Sequence, residues 1–336
     1  MKEFFYKNKY LLGALISAFL LYLSVKDIDL TEFLHYFSFE NFDVLIYVLV
    51  INLLLRLIIA LRWHKLLSIF PTNNFFTTFN YTNIGYFANN FLPARLGDII
   101  KSYLLADKKN YSKTKVLTSA IIERLFDLLG LSILFIIALL RYDIPKNIYT
   151  GGIIFVCILI IGSAVVLLMF KKKDFIDLKL KNLSKYKTID FIRHKINSVF
   201  HYLQNYLKIR EIIYLMIYTA FIWFLYVFAG FILIERLSHN LSWDASMLSL
   251  IFLGVSFILP STPGNIGVHQ FACVLAFEIL GMDKTQAVAF SFYYQIPVII
   301  ISVNLGFISI YKEGFSVKGI SQISKEAKSK GLDEVR

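Results

Sequence analysis

Apolar residues form long runs at 10–25, 42–61, 116–140, 149–170, 211–234 and 286–311. About 20 such residues in a helix cross the ~30 Å hydrocarbon core of a bilayer. The first run is short, and the six together predict an all-α integral membrane protein with six full transmembrane helices. Two further apolar regions, 75–105 and 245–281, are each interrupted. The stretch FLPARLGD at 91–98 breaks the first and LPSTPGNIG at 259–267 the second. Proline removes a backbone donor and glycine weakens a helix, so neither region reads as one continuous span.

Polar and charged positions then orient the chain. Hydrophobic residues make up 57% of the 336 and charged residues only 17%, which excludes an ordinary soluble domain. The formal net charge is +12. Its basic residues lie between the apolar runs, where they mark topology and anionic lipid headgroups rather than nucleic acid. Twenty-six of the 35 Lys and Arg residues fall in the N-terminus, the 62–65 loop, the 106–115 segment, the 171–210 segment and the tail from Lys312. Cytoplasmic loops carry that excess, so both termini are expected inside the cell (inner) membrane, with a multi-pass membrane domain over 1–312 and a basic cytoplasmic tail over 313–336. Region 75–105 then begins and ends on the cytoplasmic side, and region 245–281 on the external side. Their second limbs, 97–105 and 268–281, are too short for comfortable spans, so two oppositely oriented re-entrant hairpins are expected, bracketed by opposed spans as an inverted repeat.

Within the membrane-depth segments stand Arg56, Arg95, Lys101 and Arg124. Ionisable residues there mark functional sites and usually pair. Arg95, Asp98 and Lys101 are spaced three apart and form a charged stripe if 96–105 is helical. In ERLFD, Glu123 and Asp127 share a helix face with Arg124 beside Glu123. Mutual neutralisation that pins the hairpin is the plainer reading of these charges, and a polar cavity open to the cytoplasm the sharper one. Arg56, about one and a half turns from the inner end of its span, is read as snorkelling to the surface. The outer turn brings Pro260, Ser261, Thr262, Pro263, Gly264, Asn265, Gly267 and Gln270 together. A helix starting near Gly267 points its N-terminal amides toward the midplane, where an anion of phosphate size would be favoured, with Arg95 opposite.

Other stretches carry less. Cys157 and Cys273 sit in apolar segments and imply no disulfide framework, the histidines show no metal-ligand spacing, and no cofactor motif occurs. Asp27 and Asp29 are a weak divalent-ion pair on the external side and read better as a solvated loop. Lysines surrounding Ile192, Ile196, Val199, Leu203 and Tyr206 make 171–210 a cytoplasmic interfacial segment on anionic lipid. The N-terminal run lacks a small-x-small cleavage site and reads as an uncleaved span.

The motifs LPARLGDIIKSYLL, ERLFD and PSTPGNIGVHQ, in that order, resemble the flippase-like membrane domain of the lysylphosphatidylglycerol synthases, over nearly the whole chain. The resemblance implies a lipid-flipping module with re-entrant helices, for which aminoacylated phosphatidylglycerol is the best-known cargo. The family often has Glu and Arg where this chain has Asp98 and Lys101, and Glu where it has Gln270. Bifunctional members append a soluble aminoacyl transferase, whereas only a basic tail follows here, so lipid lysylation is not expected. The leading expectation is a flippase for an anionic phospholipid or a polyprenyl-phosphate-linked lipid. The alternatives are a membrane transferase acting on a lipid-linked sugar or headgroup, and an accessory subunit partnered with a cell-envelope glycosyltransferase. The sequence carries no nucleotide-binding or nucleophile motif, which favours transport over catalysis.

Overall fold

The computed structural model describes residues 2–38, 42–91, 96–141, 187–206, 208–237, 243–256 and 262–317, with isolated positions at 146, 149–150, 153–154, 157 and 319. The described residues form eleven α-helices and two short 3-10 turns, without strands. In chain order the helices are α1 (Lys2–Val25), α2 (Leu30–Tyr36), α3 (Phe42–Leu66), α4 (Phe75–Phe91), α5 (Gly97–Lys109), α6 (Lys113–Arg141), α7 (Lys187–Tyr206), α8 (Ile209–Leu237), α9 (Trp243–Ser256), α10 (Val268–Ile279) and α11 (Lys284–Lys312). Three segments, Asp43–Ile69, Ile209–Leu237 and Lys284–Lys312, are long and apolar enough to cross a membrane. Helix α6 has the length, at 29 residues, but carries Glu123, Arg124 and Asp127 inside it. Most of the run 149–170 lies outside the described residues.

Both interrupted regions fold as pairs of short helices packed against each other, α4 with α5 and α9 with α10. The four have 17, 13, 14 and 12 residues, or roughly 18–26 Å each at about 1.5 Å per residue, shorter than the hydrocarbon core. In the first pair the limbs run antiparallel and almost touch. The Gly97 N–H donates to Asn89 Oδ1 at 2.7 Å, and a Cβ on Gly97 would overlap the Gly85 carbonyl oxygen. Gly97→Ala therefore forces the limbs apart. It is expected to cost about 1–3 kcal/mol, read as a lower unfolding midpoint of the detergent-solubilised protein.

Helix α4 is unusually polar for a central element. It buries Thr77, Thr78, Thr82 and Asn83, and the hydroxyl and amide groups of Thr82 and Asn83 bond back to the carbonyls of Thr78 and Phe79 at 2.8 and 2.9 Å. Small and hydroxyl-bearing side chains let helices approach where lipid supplies no hydrophobic drive. The packing crosses between the halves of the chain. Helix α4 lies on α11, where a Cβ on Gly306 would overlap Phe87, and α9 lies on α6, where Gly254 makes room for Leu131. Helices α3 and α8 pack on each other between them. Helix α1 covers α10.

Helix α7 supplies part of the expected interfacial segment. The Tyr202 hydroxyl donates to the Leu66 carbonyl at 2.6 Å, while Phe200 and Tyr202 are buried. Leu203 and Tyr206 pack against the apolar cluster that contains Trp63 and Leu66. The C-terminal half of this amphipathic helix thus spends its apolar face on protein.

Candidate functional site

Three helices bring six charges into a closed ring. Helix α3 contributes Arg62, α5 contributes Asp98 and Lys101, and α6 contributes Glu123, Arg124 and Asp127. Around the ring, Arg62 meets Glu123 at 3.4 Å, Glu123 meets Lys101 at 2.6 Å, and Lys101 meets Asp98 at 3.4 Å. Asp98 meets Arg124 at 2.9 Å, Arg124 meets Asp127 at 2.9 Å, and Asp127 returns to Arg62 at 2.7 Å. Cation and anion alternate throughout, so every charge has two opposite neighbours and the sum is zero.

Local sequence explains each placement. Asp98 stands in the first turn of α5, where the helix dipole favours a carboxylate, and Lys101 follows one turn later on the same face. Residues 123 and 127 recur on one face of α6, with Arg124 turned toward α5. Glu123 is ten residues, or roughly 15 Å, into α6 from Lys113. Arg62 also donates to Thr219 Oγ1 on α8 at 3.1 Å. The Lys101 ammonium lies 4.3 Å above the Trp63 ring, whose Nε1–H donates to Ser119 Oγ at 3.0 Å.

The ring has a closed side and an open side. Arg62, Glu123 and Lys101 keep 1%, 0% and 1% of their side chains accessible, whereas Arg124 keeps 43%. Asp98 and Asp127 keep 25% and 24%. Water and small ions cannot screen the first three, so those contacts hold helices together. Arg124 Nη2 donates to Asp98 Oδ1 at 3.0 Å and Nη1 to Asp127 Oδ2 at 2.9 Å, while Nε lies 2.9 Å from Asp98 Oδ2 without a hydrogen bond. A guanidinium with that much accessible surface can exchange a carboxylate for a phosphate.

A second polar cluster sits at the outer turn. Residues Pro263–Asn265 form a 3-10 turn that packs against α4, with Gly264, Asn265 and Gly267 at φ of 75°, 57° and 91°. Its groups satisfy one another. The Gly267 N–H donates to Gln270 Oε1 at 2.7 Å, Gln270 Nε2 to Gln295 Oε1 at 2.7 Å, and Gln295 Nε2 to the Gly264 carbonyl at 2.6 Å. The Thr262 N–H donates to Ser17 Oγ on α1 at 2.9 Å. A Cβ on Gly267 would overlap the Ser17 carbonyl, so the glycine admits the backbone of α1.

Five residues singled out from the sequence, Asp98, Lys101, Glu123, Arg124 and Asp127, thus meet in the ring, and Thr262, Pro263, Gly264, Asn265, Gly267 and Gln270 share the outer turn. Arg95, Pro260 and Ser261 lie outside the described residues. Two readings of arginines change. Arg62, assigned by charge counting to a cytoplasmic loop, is inside α3 and 1% exposed. Arg56, read as snorkelling, is 4% exposed, drawn inward because Ser302 on α11 and the Tyr86 ring on α4 offer it partners. Among the described residues no three His, Cys, Asp or Glu side chains gather to hold a metal ion.

Apolar helices of spanning length, helix pairs broken by Pro and Gly, and a buried charge ring define a helical membrane protein. The chain belongs to the family described as the lysylphosphatidylglycerol synthase TM region, whose model matches residues 10–306. It is similar to the "UPF0104 membrane protein MJ1078" of Methanocaldococcus jannaschii, 29% identical over 234 residues that cover 67% of this chain and 93% of the relative. No solved structure matches.

Proposed function

We propose that the chain is a lipid flippase that moves an anionic lipid, a phospholipid or a polyprenyl-phosphate-linked lipid, between leaflets of the cell membrane. A polyprenyl-phosphate cargo would make an envelope glycosyltransferase a natural partner. In this reading both termini are cytoplasmic and six helices span fully. Helices α4 and α5 re-enter from inside, α9 and α10 re-enter from outside, and the halves form an inverted repeat. Two features support that plan. The order long, short, short, long occurs twice, with 25, 17, 13 and 29 residues in α3 to α6 and 29, 14, 12 and 29 in α8 to α11. The first limb of each hairpin also packs on the last helix of the opposite half, as a pseudo-twofold axis in the membrane plane requires.

The observation that carries the function is the open side of the ring. Arg124 is eleven residues, or roughly 16 Å, along α6 from Lys113, and is 43% exposed at that depth. Arg124 is already paired with Asp98 and Asp127, so an anionic headgroup reaching its exposed surface would take over one of those pairings. Arg95, Pro260 and Ser261 belong to the same substrate path, with the outer turn at its far end.

The test is leaflet exchange. In proteoliposomes with fluorescent phosphatidylglycerol and an impermeant quencher, the parent protein is expected to expose the inner-leaflet label. Arg124→Gln should leave the label at the protein-free level while eluting as folded protein, because Asp98 and Asp127 each keep a second cation, Lys101 and Arg62. A parent protein that never exceeds the protein-free level sinks the proposal.

A further inference from the structure

Arg56 is the buried charge that the ring does not absorb. It stands on α3 six residues before Arg62, roughly 9 Å along the helix and about fifteen residues from the Phe42 end, in the middle of the helix. Its side chain is 4% exposed. Nη2 donates to Ser302 Oγ at 2.5 Å, and Cζ lies 3.3 Å from the centroid of the Tyr86 ring. Nη1 is buried and has no hydrogen-bond partner. No carboxylate among the described residues pairs with it; its electrostatic neighbours are the phenols of Tyr86 and Tyr226.

Since the six charges of the ring cancel, Arg56 is the uncompensated buried charge among the described residues of this interior. A guanidinium at that depth with an unused N–H asks for an anion. The surroundings suggest a route. Tyr86 interacts electrostatically with Arg124 as well as with Arg56, and Tyr226 with Arg56, Tyr86, Asp127 and Tyr294. Tyr86 and Tyr226 are only partly buried, Tyr86 stacks on Arg56 and the Tyr294 hydroxyl donates to the Tyr226 carbonyl at 3.4 Å, so a route from the open side of the ring to Arg56 would pass these phenols. Tyr294 adjoins Gln295, which holds the outer turn through the Gly264 carbonyl. The Tyr86 ring caps Arg56 and, by turning away, would uncover Nη1 to a guest passing from Arg124.

We propose that Arg56 is the midplane seat of a phosphate-bearing anion, taking one negative charge from the guest through Nη1 while Tyr86 gives way. The route from Arg124 rests on the transport reading; the seat itself does not. Charge balance then sets the substrate class. A phosphodiester with net charge −1 neutralises Arg56, whereas a zwitterionic headgroup brings a second cation that finds, among the described residues, no buried carboxylate beyond those already committed to the ring.

The experiment measures binding separately from transport. The full chain in detergent is titrated with dioctanoyl phosphatidylglycerol, dioctanoyl phosphatidylcholine and glycerol phosphate, and bound species are counted by native mass spectrometry. The parent protein is expected to bind phosphatidylglycerol at least about tenfold more tightly than phosphatidylcholine, a difference of about 1.4 kcal/mol. Arg56→Gln keeps a donor for Ser302 and removes the charge, so the preference should fall to about one, whereas Arg56→Lys should retain it. Should glycerol phosphate displace the lipid at equal concentration, the seat stands and its occupant is a soluble phosphate; should it fail to compete, the occupant is the lipid. A glutamine variant with the parental preference, or a parent protein with none, overturns the seat. If the preference depends on Arg56 but vesicles show no leaflet exchange, the transport reading fails and the seat survives. Exchange without charge preference overturns the seat and leaves transport standing.

Discussion

Glu123→Gln is expected to be the most damaging change in the molecule, leaving little monodisperse protein after solubilisation. Glu123 is fully buried and lies between Lys101 at 2.6 Å and Arg62 at 3.4 Å, themselves only 1% exposed. Removing its charge leaves the ring with an excess cation on the side that water cannot reach. Breaking a buried pair in this way typically costs about 3–5 kcal/mol, because the partner keeps its desolvation penalty. The mechanism makes a second, sharper statement. Pairing Glu123→Gln with Lys101→Met restores electroneutrality, as Arg62, Asp127, Arg124 and Asp98 still alternate, and the Met stem keeps contact with Trp63. The double variant is therefore expected to recover most of the lost stability, measured as unfolding midpoint and monodisperse yield. If the double variant shows the sum of the two single losses, the ring does not act as a unit.

Gly267→Val should rank second, and its damage is one of packing. Gly267 combines a φ of 91° with the carbonyl of Ser17 in the place a Cβ would take. A β-branched residue meets the backbone strain and the clash together. Strain at such a φ alone costs about 1–3 kcal/mol, and α1 must in addition retreat from α10. Gln270→Ala is the companion test. It deletes the acceptor of the Gly267 N–H and the donor to Gln295, and each orphaned buried group costs about 1–3 kcal/mol. Both variants are expected to lower the unfolding midpoint, the valine more. A valine variant as stable as the parent protein would show that α1 does not pack there.

Long apolar runs and Pro-Gly breaks made most helices readable directly from the sequence, because a bilayer demands uninterrupted apolar length and a broken backbone shows in the residues that break it. The charges of α5 and α6 were readable for a related reason: three-residue and four-residue spacings place Asp98 with Lys101 and Glu123 with Asp127 whatever the tertiary structure. Arg62 was not. It stands at the end of an apolar run beside His64 and Lys65, and charge counting cannot tell the last turn of a helix from the loop after it. The available signal was that Trp63, Leu66 and Leu67 continue the apolar face beyond it. Arg56 was misread because snorkelling is judged from helix position, whereas its direction is decided by Ser302, almost 250 residues away in the chain. Likewise, Gly267 announces a backbone in close approach but cannot say whose, and the neighbour is α1.

The exchange of partners between the two halves also governs how the chain is made. Helix α4 ends its wait for α11 only after about 200 further residues have left the ribosome, which at about 5–20 residues per second takes roughly 10–40 s. During that interval α3 and α5 cover part of α4, but the face destined for α11 has no protein against it. An apolar helix left so long at a membrane surface would commit to lipid or aggregate. Helix α4, with Thr82, Asn83 and Asn90 bonded to carbonyls of their own turns, can wait at the water boundary instead. Its polarity is thus as much a provision for the nascent chain as for the finished one.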